Sequence, residues 1–153
     1  MKHRTLTNTA EIEEIIRKCQ ACHVAMTGGD GKPYLVTMNF GYRDGTVYLH
    51  SSQAGRKIDI LKNHPEVCIG FSTDYELRSQ SADVACSYSM KYRSVVISGK
   101  VEFISDEPGK IRALDIVMSN YSPRKFLYNP PSLKEVCCWK VKAEKIECRV
   151  YGY

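Results

Sequence analysis

The sequence predicts a mainly β fold: a small closed or split antiparallel barrel of about six or seven strands with peripheral helices. Three observations carry this. Short alternating apolar runs recur from residue 23 to residue 104 and again from 136 to 150. Gly- and Asp-rich turns separate the first of these runs, which makes a meander and not a series of βαβ units. Helical periodicity is confined to the segments after Asn8, after Gly55 and after Ser105. A doubly wound parallel sheet is disfavoured by that order.

Asn8, with Glu11 three residues on, forms a loose capping box. Ile12, Ile15, Ile16 and Cys19 then give one apolar helical face, with Glu11, Glu13 and Glu14 early and Arg17 and Lys18 late, as the helix dipole prefers. His23 to Thr27 reads as a strand, closed by the turn cluster Gly28–Pro33. Tyr34 to Phe40 and Thr46 to His50 are the next two strands, with a turn over 41–45 between them. Gly55 to Lys62 is a short helix stopping before Pro65, and Glu66 to Ser72 is a strand with Val67, Ile69 and Phe71 on one face. Residues 74–90 are polar, serine-rich and weakly periodic, and read as a long loop or irregular excursion. Tyr92 to Ile104 is the longest strand. Ser105 is the expected cap of a helix running through Pro108 to Asn120, with Ile111, Leu114, Val117 and Tyr121 on its apolar side. Ser122 to Ser132, with its prolines, is a connection, and Val136 to Val150 supplies one or two closing strands.

A chain of 153 residues fits one domain, 1–153, and a compact domain of this size buries roughly 70% of its unfolded surface. Apolar residues at 43% and charged ones at 25% are ordinary globular values, which excludes disorder, collagen and a disulfide miniprotein. No apolar run is long enough for a membrane helix, and the basic start Lys2-His3-Arg4 is followed by polar residues rather than a signal core. The expected compartment is the cytoplasm, with no membrane association. The net charge of +5 is spread without a Lys/Arg block, so a nucleic-acid partner is not expected and an anionic small molecule suits the charge. The seven cysteines are then mostly free thiols acting as small apolar residues.

The sharpest local feature is Leu49-His50-Ser51-Ser52-Gln53-Ala54-Gly55-Arg56-Lys57. A strand ends, two hydroxyls follow, and a helix opens on two cations, which its dipole disfavours by ~0.3–1 kcal/mol each when exposed. A bound anion reverses that sign. Helix-start N–H groups, serine hydroxyls, an Arg and a Lys are the parts of a phosphate site; the alternative is a solvated cation pair on a turn. His50 is either a hydrogen-bonded structural residue or, next to that anchor, a functional one. Cys19-Gln20-Ala21-Cys22-His23 matches the c-type haem attachment pattern letter for letter, but attachment needs an exported chain and zinc needs further ligands at metal-site spacing. Core thiols are the expectation there. Trp139 is most simply a barrel residue, the alternative being an aromatic bordering a planar cofactor. No nucleophile elbow, Walker loop, dinucleotide fingerprint or His-Glu metal motif is present.

Val47-Tyr48-Leu49-His50-Ser51-Ser52, Gly55-Arg56-Lys57-Ile58-Asp59, Asn63-His64-Pro65-Glu66-Val67-Cys68 and the block Tyr92–Val101 carry a family likeness. Over about residues 4–150 the chain resembles the flavin-binding split-barrel proteins, pyridoxamine 5′-phosphate oxidase and its relatives, and among them the 5-nitroimidazole resistance (Nim-type) branch. The resemblance implies a homodimeric FMN-binding split barrel, with the cofactor (FMN, or FAD in its place) at the subunit interface. It places the flavin phosphate on Arg56 and Lys57 with Ser51 and Ser52, the ring along Val36, Thr37, Met38 and Asn39, and the Nim-type histidine at His50. Tyr92 and Ser94 would reach the flavin of the other subunit. The implied activity is a flavin-dependent oxidoreductase acting on nitro-aromatic or other small oxidised acceptors, with a nicotinamide donor as one source of electrons. A barrel that carries flavin or haem without turnover is the alternative. The tail that binds substrate in a true pyridoxamine phosphate oxidase is not found, so vitamin B6 oxidation is not implied.

Overall fold

The computed structural model describes residues 3–153 and is built on an antiparallel sheet. The strands are β1 (His3–Leu6), β2 (Cys22–Thr27), β3 (Pro33–Met38), β4 (Gly41–Arg43), β5 (Thr46–Ser52), β6 (Glu66–Arg78), β7 (Ser89–Ile104), β8 (Val136–Lys142) and β9 (Lys145–Tyr151). The helices are α1 (Thr9–Lys18), α2 (Arg56–Asn63), α3 (Glu107–Ser119) and α4 (Pro130–Glu135). The order β3-β2-β6-β7-β8-β5-β4 forms the main path, with β9 also on β7 and β1 on β9. Strand β7 belongs to both halves of the split barrel. Its stretch 92–98 pairs with β6 and β9, and its stretch 101–104 pairs with β8. The crossover falls at Gly99, where the carbonyl of Lys142 would lie 2.4 Å from any Cβ.

The expected mainly β split barrel with peripheral helices is what forms, with nine strands among the described residues instead of six or seven. The additions are β1, a four-residue edge strand, and β4, which lies in the stretch read as a turn. Both are too short for an alternating pattern to stand out in sequence. The inward faces make one core around Val24, Val47, Leu49, Ile69, Ile97 and Trp139. The α1 helix supplies Ile12, Ile15 and Ile16 to it, as its periodicity predicts, and the Glu11 N–H donates to the Asn8 cap at 3.2 Å.

Residues 74–90 are irregular only over 79–88. β6 runs on to Arg78 and β7 begins at Ser89, so the two form an arm beyond the barrel, closed by a 3₁₀ turn at Ala85–Ser87. The register shifts between Thr73 and Glu76, and Asp74 adopts φ 56°. That bulge breaks the period-2 pattern that would have marked the strand. The elbow is pinned: Arg93 lies 2.7 Å and Lys18 3.3 Å from the Asp74 carboxylate. Burial pushes the Asp74 carboxyl up, but these two cations outweigh it and hold it below the usual range.

Two corrections concern α3. Its cap is Asp106, which accepts from the Gly109 N–H at 2.8 Å, and not Ser105. Its buried residues are Gly109, Ala113, Ile116 and Val117, whereas Ile111 and Leu114 are half-exposed and Tyr121, beyond the helix, is exposed. The reason is close approach: a Cβ at Gly41 of β4 would meet the Ile116 backbone at 2.5 Å. The helix turns its small residues to the sheet, and that requirement overrides the apolar spacing. Within 122–132, Asn129 accepts from the Ser132 N–H at 2.9 Å and opens α4 with prolines in its first turn. Among the described residues no helix is long and apolar enough to cross a membrane.

Candidate functional site

β5 leaves the barrel at His50-Ser51-Ser52, and Gln53–Gly55 turn the chain into α2. Gly55 is the N-cap at φ 124°, a conformation L side chains rarely adopt, and no side chain caps the helix among the described residues. The first N–H groups of α2 are therefore free of protein partners in the helix, while Arg56 and Lys57 stand in its first turn. An uncapped amino terminus with cations in its first turn has the parts of an anion cradle. The Ser51 hydroxyl donates to the Ser52 carbonyl at 2.9 Å, and the Ser52 hydroxyl to the Ala54 carbonyl at 2.9 Å, so both are held at the mouth of that cradle.

Next to it is a cleft of about 490 Å³. Thr37, Met38 and Asn39 from the end of β3 form one wall, His50, Ser51, Ser52 and Lys57 another, and Ser132, Glu135 and Val136 the third. The structure thus brings most of the expected site residues together. Val36 faces inward opposite Val24 and packs on the core instead. The Arg56 guanidinium lies 4.2 Å from the centre of the Tyr34 ring, at the edge of the cleft and not in its lining. Tyr92 and Ser94 lie on β7 in a separate groove with Thr5, Leu6 and Arg149, away from the cleft of their own chain.

The third wall was not expected from sequence. Its signal was present: Asn129-Pro130-Pro131 is a helix-start signature of cap followed by proline at the first helical positions. Lys110 of α3 fixes this wall by donating to the carbonyls of Leu133 and Val136, each at 2.8 Å. Gln53 adds a hydrogen bond from its side-chain amide to the Lys134 carbonyl, tying the α2 turn to α4.

His50 is half-buried, and its burial lowers the imidazole below its usual range. It is therefore neutral at pH 7 and presents one N–H donor and one acceptor to the cleft. A histidine lowered in the folded state binds fewer protons there than when unfolded, so its effect on stability appears as pH falls through about 6.5. Thermal unfolding of the wild type is expected to lose stability over that interval by more than a His50→Gln variant does. Identical pH profiles would show that the imidazole is solvated.

The cysteine pattern resolves as core. Cys19 and Cys22 are buried, and the Cys19 thiol donates to the Ile15 carbonyl at 3.3 Å. Burial pushes Cys22 up to about 12, so it is a poor nucleophile and a poor metal ligand. His23 faces the opposite side of β2, and the three groups of the motif do not converge. Among the described residues no group of three His, Cys, Asp or Glu is placed to hold a metal ion. Trp139 is fully buried inside the barrel and is not among the residues lining the cleft at His50.

The family model described as pyridoxamine 5′-phosphate oxidase matches residues 8–150. A crystal structure of a protein provisionally assigned to 5-nitroimidazole antibiotic resistance, from Bacteroides thetaiotaomicron, is 42% identical, with TM-score 0.88 over 97% of this chain and 87% of that one. A flavocytochrome from Azotobacter vinelandii shares the fold at 22% identity, TM-score 0.83, over 97% of this chain and 70% of its own. An FAD- and haem-binding protein from Mycobacterium smegmatis does so at 16% identity, TM-score 0.85, over 97% and 74%. Among curated proteins none matches the chain. With nearly the whole sequence matched and the split barrel in place, the chain belongs to the pyridoxamine 5′-phosphate oxidase family.

Proposed function

We propose that the protein is a flavin-dependent reductase of small oxidised acceptors, nitro-aromatic rings foremost, working as a cytoplasmic homodimer with FMN in the cleft. The observation that supports this most is the convergence of His50, Ser51, Ser52 and Lys57 with Thr37–Asn39 around one opening at the uncapped start of α2. The Lys57 ammonium and the first N–H groups of α2 fit a phosphate monoester, to which the serine hydroxyls can donate once rotated off their own backbone carbonyls, and the β3 wall of Thr37, Met38 and Asn39 offers backbone and a thioether to a flat ring. The 42% identical relative assigned to nitroimidazole resistance favours a nitro-aromatic acceptor.

Bound FMN would supply the electron transfer; the protein supplies position and environment. Lys57 and the α2 N–H groups anchor the phosphate. The Lys110 tether keeps Glu135 and Val136 in place as the wall facing β3. His50, neutral and half-buried, donates a hydrogen bond to the oxygen of an acceptor and can pass it a proton. Reduction of a nitro group to nitroso takes two electrons and two protons and releases water, so a donor at that point has a defined task. A second subunit covers the open side of the cleft.

The purified protein is expected to show a flavin spectrum, and under anaerobic conditions NADH or NADPH should bleach it until a nitro-aromatic acceptor restores it. Flavin that is never reduced by either donor, or reduced flavin that the acceptor does not reoxidise, would make the protein a carrier. A haem spectrum in place of flavin would overturn the cofactor.

A further inference from the structure

Lys57 and Glu135 are the charged side chains that line the cleft, and they stand on different walls. Neither enters an ion pair among the described residues. Lys57 is explained by an anion at the start of α2. Nothing in the fold explains Glu135. It is the last residue of α4, at the end of a helix where the dipole disfavours a carboxylate. The donors at that end are spent on backbone: the Val136 N–H donates to the Ser132 carbonyl, Lys110 to those of Leu133 and Val136, and the Gln53 amide to that of Lys134. The carbonyls are satisfied and the carboxylate is left over. A lysine or arginine there would suit α4 better.

The position is fixed from several sides. Leu133 is buried beneath α4, Lys110 and Gln53 hold its carbonyls, and Val136 pairs with Ser52 in the last rung between β5 and β8. Glu135 therefore stands just beyond Ser52 at the rim of the cleft, with its side chain exposed to whatever enters.

We propose that Glu135 selects acceptors by charge: it favours small oxidised molecules that carry a protonated amine or an N–H donor, and it turns away carboxylates and other anions. This deepens the reductase reading and rests on it for the identity of the ligand. The chain as a whole, at +5, draws anions toward itself. An uncapped helix start with two cations would hold them wherever the cofactor left room. A phosphate monoester carries about −1.5 to −2 at pH 7, which Arg56 and Lys57 offset. Glu135 then leaves the loaded cleft net negative, the reverse of the field around it. Specificity of this kind comes from a charge set against the wrong ligand as much as from contacts with the right one. An amine would pair with the carboxylate at the rim, whereas an anion would have to be desolvated beside a like charge. His50, neutral, makes no such distinction.

Three acceptors of similar shape test it: para-nitrobenzylamine, a cation; para-nitrobenzyl alcohol, neutral; and para-nitrobenzoate, an anion. Without an electron donor they are inert, so calorimetry on the protein as purified gives their dissociation constants. With NADH or NADPH the same series gives kcat/KM. In the wild type the amine is expected to be favoured over the benzoate by about 10-fold in both measurements, with the alcohol between them. Glu135→Gln, at an exposed site, is expected to melt as the wild type does and to narrow that spread to about 3-fold or less, with little change for the alcohol. Asp83→Asn removes the same charge from an exposed turn outside the cleft and is expected to keep the wild-type spread. FMN affinity of Glu135→Gln is expected to equal or exceed that of the wild type, since a like charge near the phosphate is lost. A wild type blind to acceptor charge, or a spread that Glu135→Gln leaves intact or that Asp83→Asn narrows equally, overturns the proposal. So does a Glu135→Gln protein that binds FMN about 10-fold more weakly, because the carboxylate would then be holding the flavin itself. A wild type that binds no flavin, or never turns over the alcohol, removes the reductase reading instead, and the calorimetric series still decides the role of Glu135.

Discussion

Replacing Arg56 and Lys57 together by alanine is expected to weaken FMN binding by several kcal/mol, since charge-assisted contacts contribute about 1.5–3 kcal/mol each. The structure divides the two roles. Lys57 lines the cleft beside Ser51 and Ser52, whereas Arg56 is stacked on Tyr34 at 4.2 Å. Lys57→Ala alone should therefore carry the larger share, and Arg56→Ala should act partly by freeing Tyr34. Both side chains are at the surface or half-buried, so the double variant should unfold at nearly the wild-type temperature. Titration of the apoprotein with FMN, followed by flavin fluorescence, reads the loss, and raised salt should narrow the gap between variant and wild type. An unchanged dissociation constant in the double variant would remove the phosphate assignment, and with it the main support for a flavin in this cleft.

That assignment was legible from residues alone because the conflict was local. Two cations in the first turn of a helix whose cap is glycine can be read off eight letters, and so can the hydroxyls before them. The barrel was legible for a similar reason, since β2, β3 and β5 alternate over short runs between turn residues. What stayed hidden depends on contacts distant in sequence. The outward face of α3 cannot be told from its apolar spacing, because the Gly41 backbone beneath it decides which side approaches. The β6–β7 arm was masked by a bulge at Asp74 that only its ion pairs with Lys18 and Arg93 explain. Val95, Ile97 and Val101 of β7 fill their own barrel, while Ser94, Val96 and Ser98 lie on the other side of that strand. The α4 wall combined both cases: its cap was readable, while its place beside His50 depends on Lys110.

Trp139→Ala is expected to be the most damaging single substitution in the barrel, at about 3–5 kcal/mol, the range for truncating a buried large aromatic. Trp139 is the largest fully buried side chain, on β8 between Phe103 of β7 and Leu49 of β5. Those strands also carry Val136 and His50–Ser52 to the cleft, so a collapse around the cavity would reach the site. Its indole Nε1 has no hydrogen-bond partner among the described residues. A buried N–H left unpaired costs free energy, so the packing of the ring has to outweigh it. Phenylalanine removes the N–H together with part of the volume, and the two effects oppose each other. Trp139→Phe is therefore expected to cost well under half of what Trp139→Ala costs, and to keep its affinity for FMN. Urea unfolding followed by far-UV circular dichroism compares the three proteins directly; the chain has one tryptophan, so its fluorescence reports the barrel interior in the wild type alone. Equal losses for Phe and Ala would mean that the indole N–H is satisfied in solution, by a water held inside the barrel, and that polarity at this position contributes as much as volume.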